Sequence, residues 1–260
     1  MELDAGRQID WGLTSADYVR YRPGPPQSFY EKVKALGIGL PGQRILDLGT
    51  GTGVLAREFA RSGSVVAGLD ISANQVEAAR QLALEQGLEI DFGVAPAEEI
   101  PFEDACFDVA TANQCWLYFD LMRVIPELRR ILRPDGLLMV SHFSHLPRLD
   151  PIARASEELV LHYNPEWSGA DWDGRIPARP GWSRETFELR AMFYYDEAVS
   201  FSKESWRGRV RALRGVGATL SEPQVRAFDE EHEALLDTIA SDTFSILHRT
   251  DVHIFSFSTA

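Results

Sequence analysis

Glycines recur at every second position in a short segment, Gly49, Gly51 and Gly53, that follows an apolar run containing Asp47. The run, residues 45–48, is typical of a buried strand, and the apolar residues after the last glycine are typical of a helix. Glycine tolerates positive φ and leaves no side chain between backbone and ligand, and the first N–H groups of a helix are free to donate. The segment therefore predicts a ligand-binding turn between a strand and a helix.

Spacing and charge narrow the ligand that this turn can bind. A dinucleotide fingerprint that began at Gly49 would need a sixth-position glycine, and Val54 stands there. Asp47 would repel a pyrophosphate, whereas it would attract a ligand that carries an ammonium and a sulfonium. S-adenosylmethionine (SAM) carries both groups. A second acid, Asp70, ends the next apolar run about 20 residues past the turn, where it can accept from both ribose hydroxyls of an adenosine.

Asp47, the three glycines and Asp70 together resemble the class I SAM-dependent methyltransferases, over roughly residues 14–143. The resemblance implies an α/β fold with a Rossmann-like, doubly wound sheet of about seven strands, mostly parallel with the last antiparallel, plus a cap insertion. It also implies that the first acid and the glycines hold the methionine end of SAM, and that Asp70 with Ile71 holds the ribose side. S-adenosylhomocysteine is the implied product. The glycine turn alone would also fit another nucleotide site or an ordinary strand–helix connection.

Residues 95–102 resemble the segment that contacts adenine in this family. In the family an alanine N–H meets a ring nitrogen and the preceding Asp accepts from the exocyclic amine. Ala97 can offer its N–H, but Pro96 stands where the Asp is usual. Glu98 is the nearest replacement acceptor, with an ordinary surface position as the alternative.

Polar and aromatic residues follow the fourth predicted strand, residues 107–112. Ligands of open α/β sheets bind beyond the carboxyl ends of the strands, so Asn113 and Gln114 are expected beside the cofactor. Trp116 and Tyr118 are candidate walls for the substrate or the sulfonium. Packing into the core is the alternative for both rings.

A turn at Arg133–Gly136 is predicted to precede a fifth strand, residues 137–143, with two histidines near its end. His142 is the candidate general base, which is needed only if the acceptor starts protonated. A structural role is the alternative. His145 is a candidate substrate contact. Residues i and i+3 of a strand point to opposite faces, so no metal site is expected from this pair.

Two segments lie outside the strand–helix alternation. Residues 1–30 are expected to form an N-terminal lid segment, from which Tyr18 or Arg22 could meet the methionine carboxylate, with aromatic packing as the alternative. Residues 145–190 include a Pro/Gly-rich loop with three tryptophans, which we interpret as a cap over the substrate. Trp182 is its candidate substrate contact, and a packed surface insertion is the alternative.

Three arginines at positions 207, 211 and 214 share one face of a predicted helix. If that face meets the substrate, Arg211 is the candidate to bind a carboxylate or phosphate on it, because a guanidinium pairs with such groups through two parallel bonds. A solvated helix face is the alternative.

Composition bounds the function classes. The chain of 260 residues is expected to be a single methyltransferase domain, residues 1–260, with 45% hydrophobic and 25% charged residues. The formal charge of −13 disfavours nucleic acid as a partner. No apolar run approaches the roughly 20 residues that span a bilayer, so no membrane partner and a cytoplasmic location are expected.

These patterns predict a methyltransferase that transfers the methyl group of SAM to a small-molecule acceptor by in-line displacement. The rival hypothesis is a protein that binds SAM without methyl transfer, either a regulatory subunit or an enzyme that uses SAM as a non-reacting scaffold. The binding motifs do not separate the two, because binding and chemistry use different residues.

Overall fold

The computed structural model describes Tyr21 and residues 24–258, together with the backbone of two short antiparallel strands, β1 (Leu3–Asp4) and β2 (Arg7–Gln8). The other strands are β3 (Arg44–Leu48), β4 (Val65–Asp70), β5 (Asp91–Val94), β6 (Phe107–Asn113), β7 (Leu132–His145), β8 (Phe187–Ser202) and β9 (Thr243–Phe257). The helices are α1 (Gln27–Ala35), α2 (Val54–Arg61), α3 (Ala73–Glu85), α4 (Leu121–Ile131), α5 (Pro151–Tyr163), α6 (Lys203–Arg211) and α7 (Glu222–Ile239).

The described chain divides into two compact units. The first unit comprises Gly24–Phe143, Ile176–Tyr194 and the chain from Thr250 onward. The second unit comprises Tyr21, Ser144–Arg175 and Tyr195–Arg249. The predicted cap, residues 145–190, is thus shared between the two units, and its role stays a prediction.

A seven-stranded sheet has the order β5-β4-β3-β6-β7-β9-β8. The five strands from β5 to β7 are parallel and the last strands are antiparallel, which confirms the predicted Rossmann-like class. The chain order reverses between β3 and β6. In open α/β sheets such a reversal opens a crevice at the carboxyl ends of the strands, so this edge is where a ligand is expected.

The central strand β3 is apolar on both faces because helices cover both sides of the sheet. Leu46 and Leu48 belong to one apolar cluster, which also contains Phe187 and Phe255. Ile45 belongs to a second cluster, on the side where helix α2 contributes Phe59. Strand β3 is therefore held rigidly, and the glycine turn that follows it starts from a fixed position.

Strand β7 begins earlier than predicted. Its register with β6 jumps from Leu132 opposite Phe107 to Leu137 opposite Val109. The segment Arg133–Gly136, predicted as a turn before the strand, is therefore an irregularity within it. Pro134 has no N–H to donate to a ladder, which explains why pairing is interrupted there.

The second unit has its own apolar core, built on helices α5, α6 and α7. Trp206 of α6 and Phe228 of α7 are completely buried in it, together with Val160 of α5. Among the helices within residues 24–258, none has both the length and the apolar character that a bilayer crossing requires.

Candidate active site

The glycine turn has the backbone that its sequence predicts. Gly49, Gly51 and Gly53 have φ values of +57°, +56° and +75°, a region that residues with a Cβ rarely adopt. Packing imposes a second requirement. A Cβ on Gly49 would lie 2.8 Å from Cys115, and one on Gly53 would lie 2.8 Å from the ring of Phe92. The glycines therefore let the turn lie close to both neighbouring elements.

Asp47 lies beneath this turn, buried at the end of β3. One carboxylate oxygen accepts from the Thr50 hydroxyl at 2.7 Å, and the other accepts from the Thr111 hydroxyl of β6 at 2.6 Å. Burial raises the pKa of Asp47 to about 6, although both hydroxyl bonds favour the ionised form. Asp47 thus ties the turn to the neighbouring strand, a role for which the two threonines gave no recognisable signal in the sequence.

Asp70 ends β4 beside the turn. Its Oδ2 accepts from the Gly51 N–H at 2.9 Å and its Oδ1 accepts from the Ser72 N–H at 2.8 Å. Burial raises the pKa of this carboxyl, and the two N–H donors oppose that effect. Each oxygen retains acceptor capacity, because a carboxylate has about four lone-pair sites in all. Asp70 can therefore still accept from a ribose.

Two apolar side chains at this edge are exposed. Ile71, directly after Asp70, is 75% exposed and Val94, at the end of β5, is 52% exposed. An exposed isoleucine beside a half-buried acid is what a site for a nucleoside needs, with an apolar wall for the base and an acceptor for the sugar. Asp70 and Ile71 are thus compatible with the SAM contacts that the resemblance implies, which stay a prediction.

The segment predicted to contact adenine is held from helix α4. The Glu127 carboxylate accepts from the Ile100 N–H at 2.8 Å, and Arg130 donates to the Ile100 carbonyl at 2.7 Å. Ala97 is buried in this region, whereas Glu98 accepts from the Asp120 N–H at 2.8 Å. Glu98 thus bonds to the residue before α4. The sequence analysis missed Glu127 and Arg130 because their partners are backbone atoms that are distant in sequence.

The end of β6 carries local backbone strain. Gln114 has a φ of +66°, which is uncommon outside glycine and clusters at functional sites. The Gln114 N–H donates to the Ser141 carbonyl of β7 at 2.9 Å, and the Ser141 hydroxyl donates to the Asn113 side chain at 3.1 Å. Asn113 and Gln114 are therefore held against β7 at the carboxyl end of β6, the edge where the strand order predicts a ligand.

Trp116 is buried in the first unit, and its ring centroid lies 4.8 Å from that of Trp182. Trp182 in turn packs edge-on against Phe255 at 5.1 Å. The Trp116 indole N–H is buried and lacks a hydrogen-bond partner within the described part of the chain. Core packing, the alternative considered for Trp116, is what the geometry shows, while Tyr118 remains partly exposed.

His142 of β7 forms a contact that the sequence did not indicate. Its Nδ1 lies 3.0 and 2.9 Å from the two carboxylate oxygens of Asp251, a residue of β9 in the same unit. The His142 side chain is 33% exposed and that of Asp251 is 3% exposed. The two residues are far apart in the chain, and only the order of the strands brings them together.

Two predicted substrate residues lie in the second unit and have partners there. The His145 Nε2 lies 2.7 Å from a Glu157 carboxylate oxygen, and both side chains are buried. Arg211 forms an ion pair with Asp229 of α7 and lies over the Tyr21 ring at 5.7 Å. Neither is on a solvated face. The other two predicted cofactor residues, Tyr18 and Arg22, lie outside the described residues.

Comparison with known proteins agrees with this geometry. Residues 46–140 match the model of a methyltransferase domain. A ubiquinone/menaquinone biosynthesis C-methyltransferase of Vibrio campbellii is 35% identical over 133 residues, covering 48% of this chain and 51% of that protein. A ubiquinone biosynthesis O-methyltransferase of Actinobacillus pleuropneumoniae is 32% identical over 134 residues, covering 49% of this chain and 57% of that protein.

A solved structure of a proposed type II methyltransferase from Anaeromyxobacter dehalogenans has the same fold, with a TM-score of 0.59 and 21% identity over 90% of this chain and 97% of that chain. Residues 46–140 thus form a methyltransferase domain, and the fold is the Rossmann-like fold predicted from the resemblance to class I SAM-dependent methyltransferases. SAM is the cofactor of its domain, as predicted. The chain spans about half the length of the curated relatives it matches.

Proposed function

We propose that the protein transfers the methyl group of SAM to a small-molecule acceptor. The observation that carries this proposal is the contact between Asp70 and the glycine turn. Because Gly51 donates to Asp70, the acid and the turn are set as one rigid unit beside the exposed Ile71. That arrangement provides an acceptor for the ribose and an apolar wall for adenine.

The other predicted cofactor residues extend this site. Ala97 offers its N–H to adenine, Asn113 and Gln114 border the methionine side, and the charge of Asp47 attracts the ammonium group. The contact that the sequence predicts between Tyr18 or Arg22 and the methionine carboxylate stays a prediction. Catalysis then consists chiefly of positioning, which can contribute about 7–11 kcal/mol when the reacting atoms are held in line.

Three observations support a small acceptor. The charge of −13 opposes binding of a polyanion. Two relatives are named as methyltransferases of ubiquinone biosynthesis, one acting on carbon and one on oxygen. Aromatic residues with partly exposed rings, Tyr118 and Trp182, are available in the first unit to contact an acceptor. A cytoplasmic location is part of the same proposal.

Calorimetry with SAM, S-adenosylhomocysteine and NAD tests the cofactor half of the proposal. We expect saturable binding of the first two and none of NAD. Transfer of radiolabelled methyl from SAM to a library of small hydroxylated, amino and thiol compounds tests the other half. Binding of SAM with no labelled product from any compound would favour the rival hypothesis of a SAM-binding protein without methyl transfer.

A further inference from the structure

We infer that Asp251 is the positioning residue for His142 as a general base, and that the acceptor therefore presents a neutral hydroxyl group, phenolic or enolic. This rests on the proposed methyl transfer and specifies its acceptor chemistry. The relevant features are the contact between the two side chains, their unequal burial, and the fixed position of His142 on the sheet.

The contact sets the tautomer of the imidazole. An ionised carboxylate can only accept hydrogen bonds, so the Nδ1 that faces both Asp251 oxygens at 3.0 and 2.9 Å must carry the proton. In the neutral ring the lone pair then lies on Nε2, the nitrogen on the opposite side of the ring. His142 is thus held in the form that accepts a proton at Nε2.

The unequal burial gives each partner a separate role. Asp251 is 3% exposed, and an ionised carboxylate at such a depth is costly unless a donor compensates it. Among the described residues, His142 is the hydrogen-bond partner found for the Asp251 carboxylate. The His142 side chain is 33% exposed, so part of it can contact another molecule.

The backbone on both sides of His142 is fixed. Ser141 accepts from the Gln114 N–H at 2.9 Å, and the Phe143 carbonyl accepts from the Gln114 side chain. Gln114 makes both bonds in its strained conformation with φ of +66°. Because β6 and β7 are parallel, these two bonds hold His142 beside the carboxyl end of β6. Asp70 lies at the same edge of the sheet.

The methyl transfer that we propose conserves atoms and charge. The acceptor oxygen forms a bond to the methyl carbon, the S–C bond of SAM breaks with its electron pair left on sulfur, and the hydroxyl proton passes to Nε2 of His142. The positive charge of the sulfonium thus reappears on the imidazolium. The buried Asp251 carboxylate stabilises that imidazolium, and solvent later takes the proton through the exposed part of the ring.

The acidity of the acceptor decides whether a general base is useful. A phenolic hydroxyl has a pKa of about 10, so at neutral pH it reacts poorly until a base removes its proton. An aromatic thiol is already largely ionised at neutral pH and gains little from a base. A built histidine–carboxylate pair is therefore useful to an enzyme that methylates a neutral hydroxyl, and superfluous to one that methylates a thiolate.

The kinetic test uses the full chain, radiolabelled SAM and two probes of matched shape, phenol and thiophenol. We expect Asp251→Asn and His142→Gln each to lower kcat for phenol by about 100-fold or more, and kcat for thiophenol by less than about threefold. SAM affinity should not change. The matched control is Asp108→Asn, which removes another paired carboxylate of the same unit, bonded to the Arg44 N–H at the opposite end of the strands, and should leave both rates unchanged.

A second measurement needs no acceptor and no variant. Two-bond proton–nitrogen correlation spectra of the ¹⁵N-labelled protein report which ring nitrogen of His142 is protonated. We expect the Nδ1–H tautomer. Finding Nε2–H in the neutral ring would overturn the inference, as would equal losses for phenol and thiophenol in the two variants. Failure of the proposed function itself is distinguishable, because it would show as absent SAM binding, or as SAM binding with no labelled product from either probe, whatever the tautomer.

Discussion

Two histidine–carboxylate pairs begin on the same strand, three positions apart, and differ in nearly every property that matters for chemistry. In the first unit His142 uses Nδ1 to contact Asp251 and keeps a ring that is 33% exposed. In the second unit His145 uses Nε2 to contact Glu157, and its ring is 8% exposed. The Glu157 carboxylate also accepts from the Asp171 N–H at 2.8 Å.

The surroundings of the two imidazoles explain the contrast. His145 packs edge-on against Trp206 at 5.5 Å and against His248 at 6.0 Å, within a region where burial lowers the pKa of His248 to about 3. Such an environment favours a fixed, packed ring. These surroundings favour a structural role for His145, whereas the partly exposed ring of His142 is compatible with the catalytic role that we propose for it.

Replacing His142 by alanine tests the exposed pair most directly and should have the largest effect. Without a base, we expect kcat for a hydroxyl acceptor to fall by about 10² to 10⁴-fold while the Kd for SAM is nearly unchanged. Steady-state kinetics together with calorimetry measure both quantities. Normal turnover in a folded variant would leave positioning as the whole mechanism and remove the distinction between the two pairs.

The reciprocal change, His145→Ala, should act on stability. It leaves Glu157 buried with only the backbone donor of Asp171, and breaking a buried pair in this way costs about 3–5 kcal/mol in the free energy of unfolding. Urea titration followed by circular dichroism measures it, with the exposed His162→Ala as control. A raised KM without loss of stability would support the substrate contact predicted for His145 from the sequence.

Asp47 is a third buried carboxylate, and its partners are hydroxyl groups instead of an imidazole. Its pKa predicts how the stability of the protein depends on pH. Burial raises the pKa of Asp47 from its ordinary 3.8 to about 6, so between these values the folded state binds more protons than the unfolded state. The contribution of Asp47 to the free energy of unfolding is favourable at pH values below about 4 and is lost as the pH rises through about 6. Relative to Asp47→Asn, the wild type should lose about 3 kcal/mol of stability across this range.

Urea titrations of both proteins at several pH values from 4 to 7.5 provide the measurement. A difference between them that does not vary with pH would mean that Asp47 titrates normally. It would also mean that the two threonine hydroxyls compensate fully for its burial.

Replacing Asp70 should weaken SAM binding through a contact that does not involve His142. Asp70→Ala removes the acceptor for the ribose, and a bond to a charged group is worth about 1.5–3 kcal/mol, so SAM affinity should fall at least tenfold. Calorimetry measures the Kd, and Asp91→Ala, at the exposed start of β5, is the control. Unchanged affinity would place the ribose away from Asp70.

The smallest expected effect is that of Arg211→Ala in the second unit. Asp229 keeps a second partner, since Arg207 donates to it at 2.5 Å, so we expect a loss of only about 1 kcal/mol of stability. The decisive measurement is the KM for an acidic acceptor, determined at several salt concentrations. A steep rise of KM with no loss of stability would show that Arg211 binds an acidic acceptor despite its ion pair with Asp229.

The glycine turn, Asp70 and the parallel sheet could be predicted because their signals are local. Residues 47–53 require positive φ within one turn, and alternating apolar runs require strands and helices wherever they lie. The start of β7 was predicted wrongly because Pro134 and Gly136 have turn chemistry of their own, and pairing with β6 at Leu132 overrides it. Local propensity has no information about a neighbour that is distant in sequence.

Residue type and spacing within a few dozen positions thus determined the fold class, the cofactor, and the edge of the sheet where we propose that the cofactor binds. Tertiary structure alone decided which residues became partners. Asp251 reaches His142 only because β9 lies next to β7 in the sheet, and Glu157 reaches His145 only because α5 folds back on the strand end. Burial, which distinguishes the partly exposed imidazole of His142 from the packed imidazole of His145, is a sum over such distant neighbours, and no local pattern of residues encodes it.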